Sequence, residues 1–105
     1  MKSKYMIICT PQGRYRIPLQ KVAEHRADYY AVVVDGNDRD SDSYHSEVRS
    51  AMNDDFTCID WIHNNSDWSD WKGQAEKIDD MDFAEEGEDF WSSSENFEVV
   101  MMEDV

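Results

Sequence analysis

Residues 79–105 hold eleven Asp or Glu and no Lys or Arg, yet the same stretch carries Phe83, Phe90, Trp91, Phe97 and the run Val99-Val100-Met101-Met102. Segments that stay disordered are poor in groups able to repay the entropy of ordering. Large apolar side chains set among dense charge therefore require this segment to fold against the rest of the chain or to bind. That requirement bears on the whole fold, because 105 residues amount to one domain with a single modest core. We divide the chain into an α+β core over 1–78 and an acidic C-terminal segment over 79–105, packed on or beside that core.

Charge is unevenly spread. Residues 1–33 hold six basic and two acidic side chains, residues 34–78 hold four and eleven, and the whole chain is at −14. A field of that sign repels DNA, RNA and anionic lipid and attracts basic surfaces, including those that nucleic-acid enzymes present to phosphates. Direct nucleic-acid binding is not expected. The plainer alternative is that acidity only keeps a small protein in solution. The apolar runs Ala31–Val34 and Val99–Met102 are four residues long, against roughly 20 for a bilayer span, so no membrane segment is expected. Cys9 and Cys58 each sit inside an apolar stretch with no signal-peptide pattern ahead of them. They read as buried free thiols in a reducing cytoplasm.

Lys4 to Thr10 reads as a strand, Pro11-Gln12-Gly13 as a turn, and Arg14 to Ile17 as a second strand with period-2 alternation. An N-terminal antiparallel hairpin follows. Pro18 suits the first turn of a helix, and Leu19, Val22, Ala23, Ala27 and Tyr30 share one face of it over about 18–31. Residues 35–43 are polar and turn-forming, so they read as an exposed loop, with Ser43 capping a second helix that buries Tyr44, Val48, Ala51 and Met52. Asp54 or Asp55 caps a third, with Phe56, Ile59 and Ile62 inward and Asn64-Asn65 at its end. Asp67 to Trp71 is expected as a turn or a single 3₁₀ turn pinning two indoles to the core, while Gln74–Ile78 and Asn96–Met102 supply one or two further strands.

Four patterns carry candidate chemistry. Asp79, Asp82, Glu86 and Asp89 step by three, four and three; on a helix they form one stripe with carboxylates about 5–6 Å apart, comparable to phosphates along a nucleic-acid strand. Asp80, Glu85 and Glu88 thicken that face, and the alternative is a solvated helix side frayed at Gly87. Asp38-x-Asp40-x-Asp42 resembles the start of a calcium loop but lacks the glycine at its sixth position and has Arg49 where the closing Glu belongs, so no metal is expected. His25, His45 and His63 show no zinc spacing with one another or with the cysteines. Cys58 and His63 share a helix but point about 140° apart, and neither a Ser/His/Asp order nor a Gly-rich phosphate loop is present, so no enzyme and no cofactor are expected. Finally, Arg26 falls on the apolar side of the first helix and needs a partner, with Asp60, Asp67 or Asp70 as candidates. The tryptophans at 61, 68, 71 and 91 suit either core packing or an exposed aromatic surface.

The fragments Val-Ala-x-x-Arg-Ala-x-Tyr-Tyr-Ala, from Val22 to Ala31, and Asp-Trp-x-x-Asn-Asn-x-Asp-Trp, from Asp60 to Trp68, resemble a family of small uncharacterised proteins encoded by phages and prophages. The resemblance covers about residues 14–78 and implies a mobile-element setting rather than a mechanism. In that setting the acidic residues suggest an inhibitor of the anti-CRISPR or anti-restriction type. Its partner is expected to be a host protein with a basic nucleic-acid-binding surface, met by Asp79, Asp80, Asp82, Glu85, Glu86, Glu88 and Asp89 together with Asp38, Asp40 and Asp42. The alternative is an accessory or structural phage protein with no inhibitory activity.

Overall fold

The turn between the first two strands shows why this sequence makes a sheet. In the computed structural model, which describes residues 1–80, 91 and 94–103, Thr10 Oγ1 donates to Gly13 O at 2.8 Å and accepts from the Gln12 N–H at 3.1 Å. Gly13 has φ +135°, and a Cβ there would lie 2.3 Å from the Asp79 carbonyl oxygen, so only glycine fits. The turn joins β1 (Lys2–Thr10) to β2 (Gly13–Pro18) as the expected hairpin. Strands β3 (Glu76–Asp79) and β4 (Phe97–Glu103) flank it, and the antiparallel sheet runs β3-β2-β1-β4. The chain is a single α+β domain. β3 runs one residue past the boundary drawn after residue 78 and β4 pairs along β1, so at these residues the acidic segment is part of the sheet itself.

Helices cover one face. Met6, Ile8 and Ile17 meet Leu19, Val22 and Ala23 of α1 (Leu19–Ala27), Ala51 of α2 (Asp42–Met52) and Cys58, Trp61 and Ile62 of α3 (Asp55–Asn65). The first helix does not end as expected. After Ala27 the chain widens into π-helical turns over Asp28–Val34, consistent with the crowding that the β-branched run Val32-Val33-Val34 imposes on an ordinary α turn. Gly36, at φ +71°, closes it. Ala27 and Ala31 are small enough to let Tyr44 of α2 pack against this segment as a second cluster.

The second helix starts earlier than expected. Ser41, not Ser43, is its cap: Oγ accepts from the Tyr44 N–H at 3.1 Å and donates to Asp38 O at 2.7 Å. Asp42 then sits in the first turn, where a negative charge meets the helix dipole favourably. Asp54 caps α3 by accepting from the N–H groups of Phe56 and Thr57. Trp68–Trp71 forms one α turn, α4, closed by the Asp70 carboxylate accepting from the Asp67 N–H at 2.8 Å. Trp71 is buried and Trp68 half-buried, as a pin for two indoles requires. A short 3₁₀ turn over Ser94–Asn96 leads into β4.

Candidate functional site

The expected acidic residues fall on separate elements. Asp38 and Asp40 are exposed in the loop before α2, and Asp42 is exposed in that helix's first turn. Asp79 closes β3 and accepts from Arg14 Nε at 2.9 Å, while Asp80 just beyond it faces Lys77 Nζ at 2.6 Å. Hydrogen bonds to these carboxylates raise the pKa of both the Arg14 guanidinium and the Lys77 ammonium. A helical stripe of Asp79, Asp82, Glu86 and Asp89 therefore cannot begin at Asp79, because that residue is a strand residue committed to an ion pair. Asp82, Glu85, Glu86, Glu88 and Asp89 lie outside the described residues.

Two side chains in the helices depart from their expected surroundings. Arg26 Nη1 pairs with Glu47 at 2.8 Å and its guanidinium lies 4.9 Å from the Tyr30 ring centre, so none of Asp60, Asp67 and Asp70 is its partner. The cause is that α2, which carries Glu47, lies directly against α1. Phe56 is not a core residue: it is 83% exposed, whereas Cys58, Trp61 and Ile62 face inward. Two apolar stripes compete on α3, and the one that buries the larger indole prevails.

The outward turn of Phe56 makes a surface. A cleft of about 330 Å³ between α3 and the π segment is lined by Arg26, Tyr30, Phe56, Asp60 and Trp61. A second of about 500 Å³ runs from Phe56, Ile59 and Asp60 to His63, Glu95 and Phe97. A third, of about 290 Å³, lies between Asp55, Phe56, Ile59 and β4 at Phe97, Glu98 and Val99. Phe56 borders all three. The Tyr29 and Tyr30 rings each stand 5.6 Å from the Trp61 ring, and Val33 and Val34 are exposed on the same π segment. Sequence reading missed this surface; its only trace was the second apolar stripe of α3.

The indole donors of Trp61 and Trp91 and the Cys58 thiol are occupied by structure. Trp61 Nε1 donates to His25 Nδ1 at 2.9 Å, and Trp91 Nε1 is shared between Ile62 O at 3.1 Å and Ser66 O at 2.7 Å. Cys58 donates its S–H to Ala51 O, and burial pushes its pKa up to about 11, so it is a neutral thiol at ordinary pH. Among the described residues no three His, Cys, Asp or Glu side chains converge as metal ligands. Among them, too, no helix is long and apolar enough to cross a membrane.

Comparison with protein-family models, curated proteins and solved structures finds no match to this chain.

Proposed function

We propose that this chain is a phage-type acidic inhibitor that acts without catalysis, binding in the host cytoplasm to a nucleic-acid-handling protein of the CRISPR or restriction class. One observation carries the reading: six of the ten basic side chains are already paired with the chain's own carboxylates. Lys4, Arg14, Arg16, Arg26, Arg39 and Lys77 each already face a carboxylate. With 24 acidic against 10 basic residues, the surplus projects outward as uncompensated negative field. A compact body with such a field suits a basic channel shaped for phosphates. Asp38, Asp40 and Asp42 are the clearest contributors, being exposed and close in sequence.

The test is capture of partners from host lysate by the tagged protein, washed at low and then high salt. A stoichiometric DNA- or RNA-handling complex released by salt supports the reading, and Asp38→Lys/Asp40→Lys/Asp42→Lys should weaken its capture at least tenfold. The exposed apolar surface around Phe56 favours a second reading, an accessory phage protein built into a larger assembly. Retention of virion components alone, indifferent to the triple reversal, would select it.

A further inference from the structure

The two sides of Phe56 differ from the rest of the acidic surface in being apolar at the floor and charged only at the rim. Phe56, Ile59, Phe97 and Val99 form the floor between α3 and β4, and Asp55, Asp60, Glu95 and Glu98 stand around it. No Lys or Arg occurs from residue 50 to residue 71, although Lys4 of β1 reaches the rim and pairs with Asp55 at 3.4 Å. Among the described residues β4 is hydrogen-bonded to β1 alone, so its outer edge has no neighbouring strand. Unpaired strand edges accept a further strand, with the backbone supplying affinity and alternate side chains the specificity.

We propose that this groove docks an extended basic-apolar segment of a partner protein, whose Lys or Arg side chains meet the carboxylate rim while its apolar side chains pack on Phe56, Ile59, Phe97 and Val99. Charge chooses this occupant over the two others. A second copy, at −14, would set the same carboxylate rim against itself. The chain's own residues 81–90 hold five acidic and no basic side chains, so they lack the cations that a carboxylate rim calls for. The cleft beside Tyr30 and Trp61 adjoins this groove, but the chain's own Arg26 already lies over the Tyr30 ring there, so the cleft offers no further slot for a cation. This surface lies beside β4, at the opposite edge of the sheet from Asp79 and Asp80, and uses none of the residues invoked for mimicry.

The test titrates the isotope-labelled full-length chain with three ten-residue probe peptides, alternating Lys-Val, Lys-Ser and Glu-Val, and follows backbone amide shifts. Saturable shifts at Phe56, Ile59, Phe97 and Val99 with Lys-Val, at least about tenfold tighter than with Lys-Ser, are expected. Phe56→Ser should weaken Lys-Val at least about tenfold with the amide spectrum otherwise retained, because the ring is 83% exposed. Equal binding of Lys-Ser, shifts confined to residues 38–42, or full affinity in Phe56→Ser would overturn the proposal. So would concentration-dependent shifts at the same amides without peptide, which would mark a second copy. Asp38→Lys/Asp40→Lys/Asp42→Lys should leave Lys-Val binding at the groove intact, so failure here and failure of the inhibitor reading are separable.

Discussion

The two edges of the sheet are built to opposite rules. At one edge β3 is four residues long, its register with β2 shifts between Arg14 and Tyr15, and its outer residues are tied down by Arg14–Asp79, Arg16–Glu76 and Lys77–Asp80. Short length, irregular register and charge are the means by which sheets discourage unwanted pairing. At the other edge β4 runs seven residues as Phe-Glu-Val-Val-Met-Met-Glu in unbroken register with β1. Met101 is exposed there and Val99 and Val100 are only half-buried. One edge is closed against partners and the other is left able to take one. That contrast is what makes the β4 side, rather than the charged β3 side, the place for a second strand.

The largest test of the contrast is Trp91. Its indole donates to the carbonyls of Ile62 and Ser66 and packs edge-on against Phe97 with ring centres 4.8 Å apart, so it ties the start of β4 to the end of α3. Trp91→Ala should cost about 3–5 kcal/mol in urea unfolding. A loss under about 1 kcal/mol would mean that β4 is held by its ladder with β1 alone. On the opposite edge, Gly13→Ala should cost roughly 2 kcal/mol or more, because a Cβ collides with the Asp79 carbonyl and the backbone is in the positive-φ region. Hydrogen exchange should then show β3 amides losing protection before β4 amides. Simultaneous loss at both edges would dissolve the distinction between them.

Cys58 gives a pH-dependent probe of the helical layer packed against the β4 half. Its folded pKa of about 11 stands above the ordinary 9.0, chiefly because burial penalises the thiolate. The unfolded chain therefore releases this proton first as pH rises. Its contribution is complete below pH 9 and is lost between pH 9 and about 11, with a limiting slope of about 1.4 kcal/mol per pH unit. Cys58→Ala lowers stability throughout by removing buried volume and should reduce the alkaline slope, leaving the part owed to Cys9 and Tyr44, which burial also raises. Retention of the full slope in the variant would assign it to other groups.

What was legible in the sequence follows from how local each signal is. The hairpin depends on Gly13 and period-2 alternation, and the cap of α3 on a single side chain, so the hairpin was readable along the chain and the cap was narrowed to Asp54 or Asp55, of which Asp54 is the one used. The cap expected at Ser43 lies two residues earlier, at Ser41, because the two serines are chemically alike and only the bond to the Tyr44 N–H separates them. Phe56 and Arg26 were misassigned for a different reason. Their surroundings are set by which helix packs where, and the choice between Asp60 and Glu47 as arginine partner depends on α2 lying against α1. The exposed surface followed from the same tertiary choice. A stripe that looks like core in isolation becomes surface once Trp61 has taken the inward position.

The smallest expected effect concerns Asp79, which two readings of this molecule use differently. As a member of an acidic binding face its removal should weaken partner capture; as the partner of Arg14 it should change only the β3 edge. Its side chain is 28% exposed and Arg14's is 31%, so solvent screens the pair and Asp79→Asn should cost less than about 1 kcal/mol, shrinking further in high salt. Because the guanidinium already neutralises this carboxylate, the substitution should leave partner capture unchanged while Asp38→Lys/Asp40→Lys/Asp42→Lys weakens it at least about tenfold. Weakened capture in Asp79→Asn, with β3 still protected in hydrogen exchange, would return the charged edge to the binding surface and leave the β4 edge as only one of two docking sides.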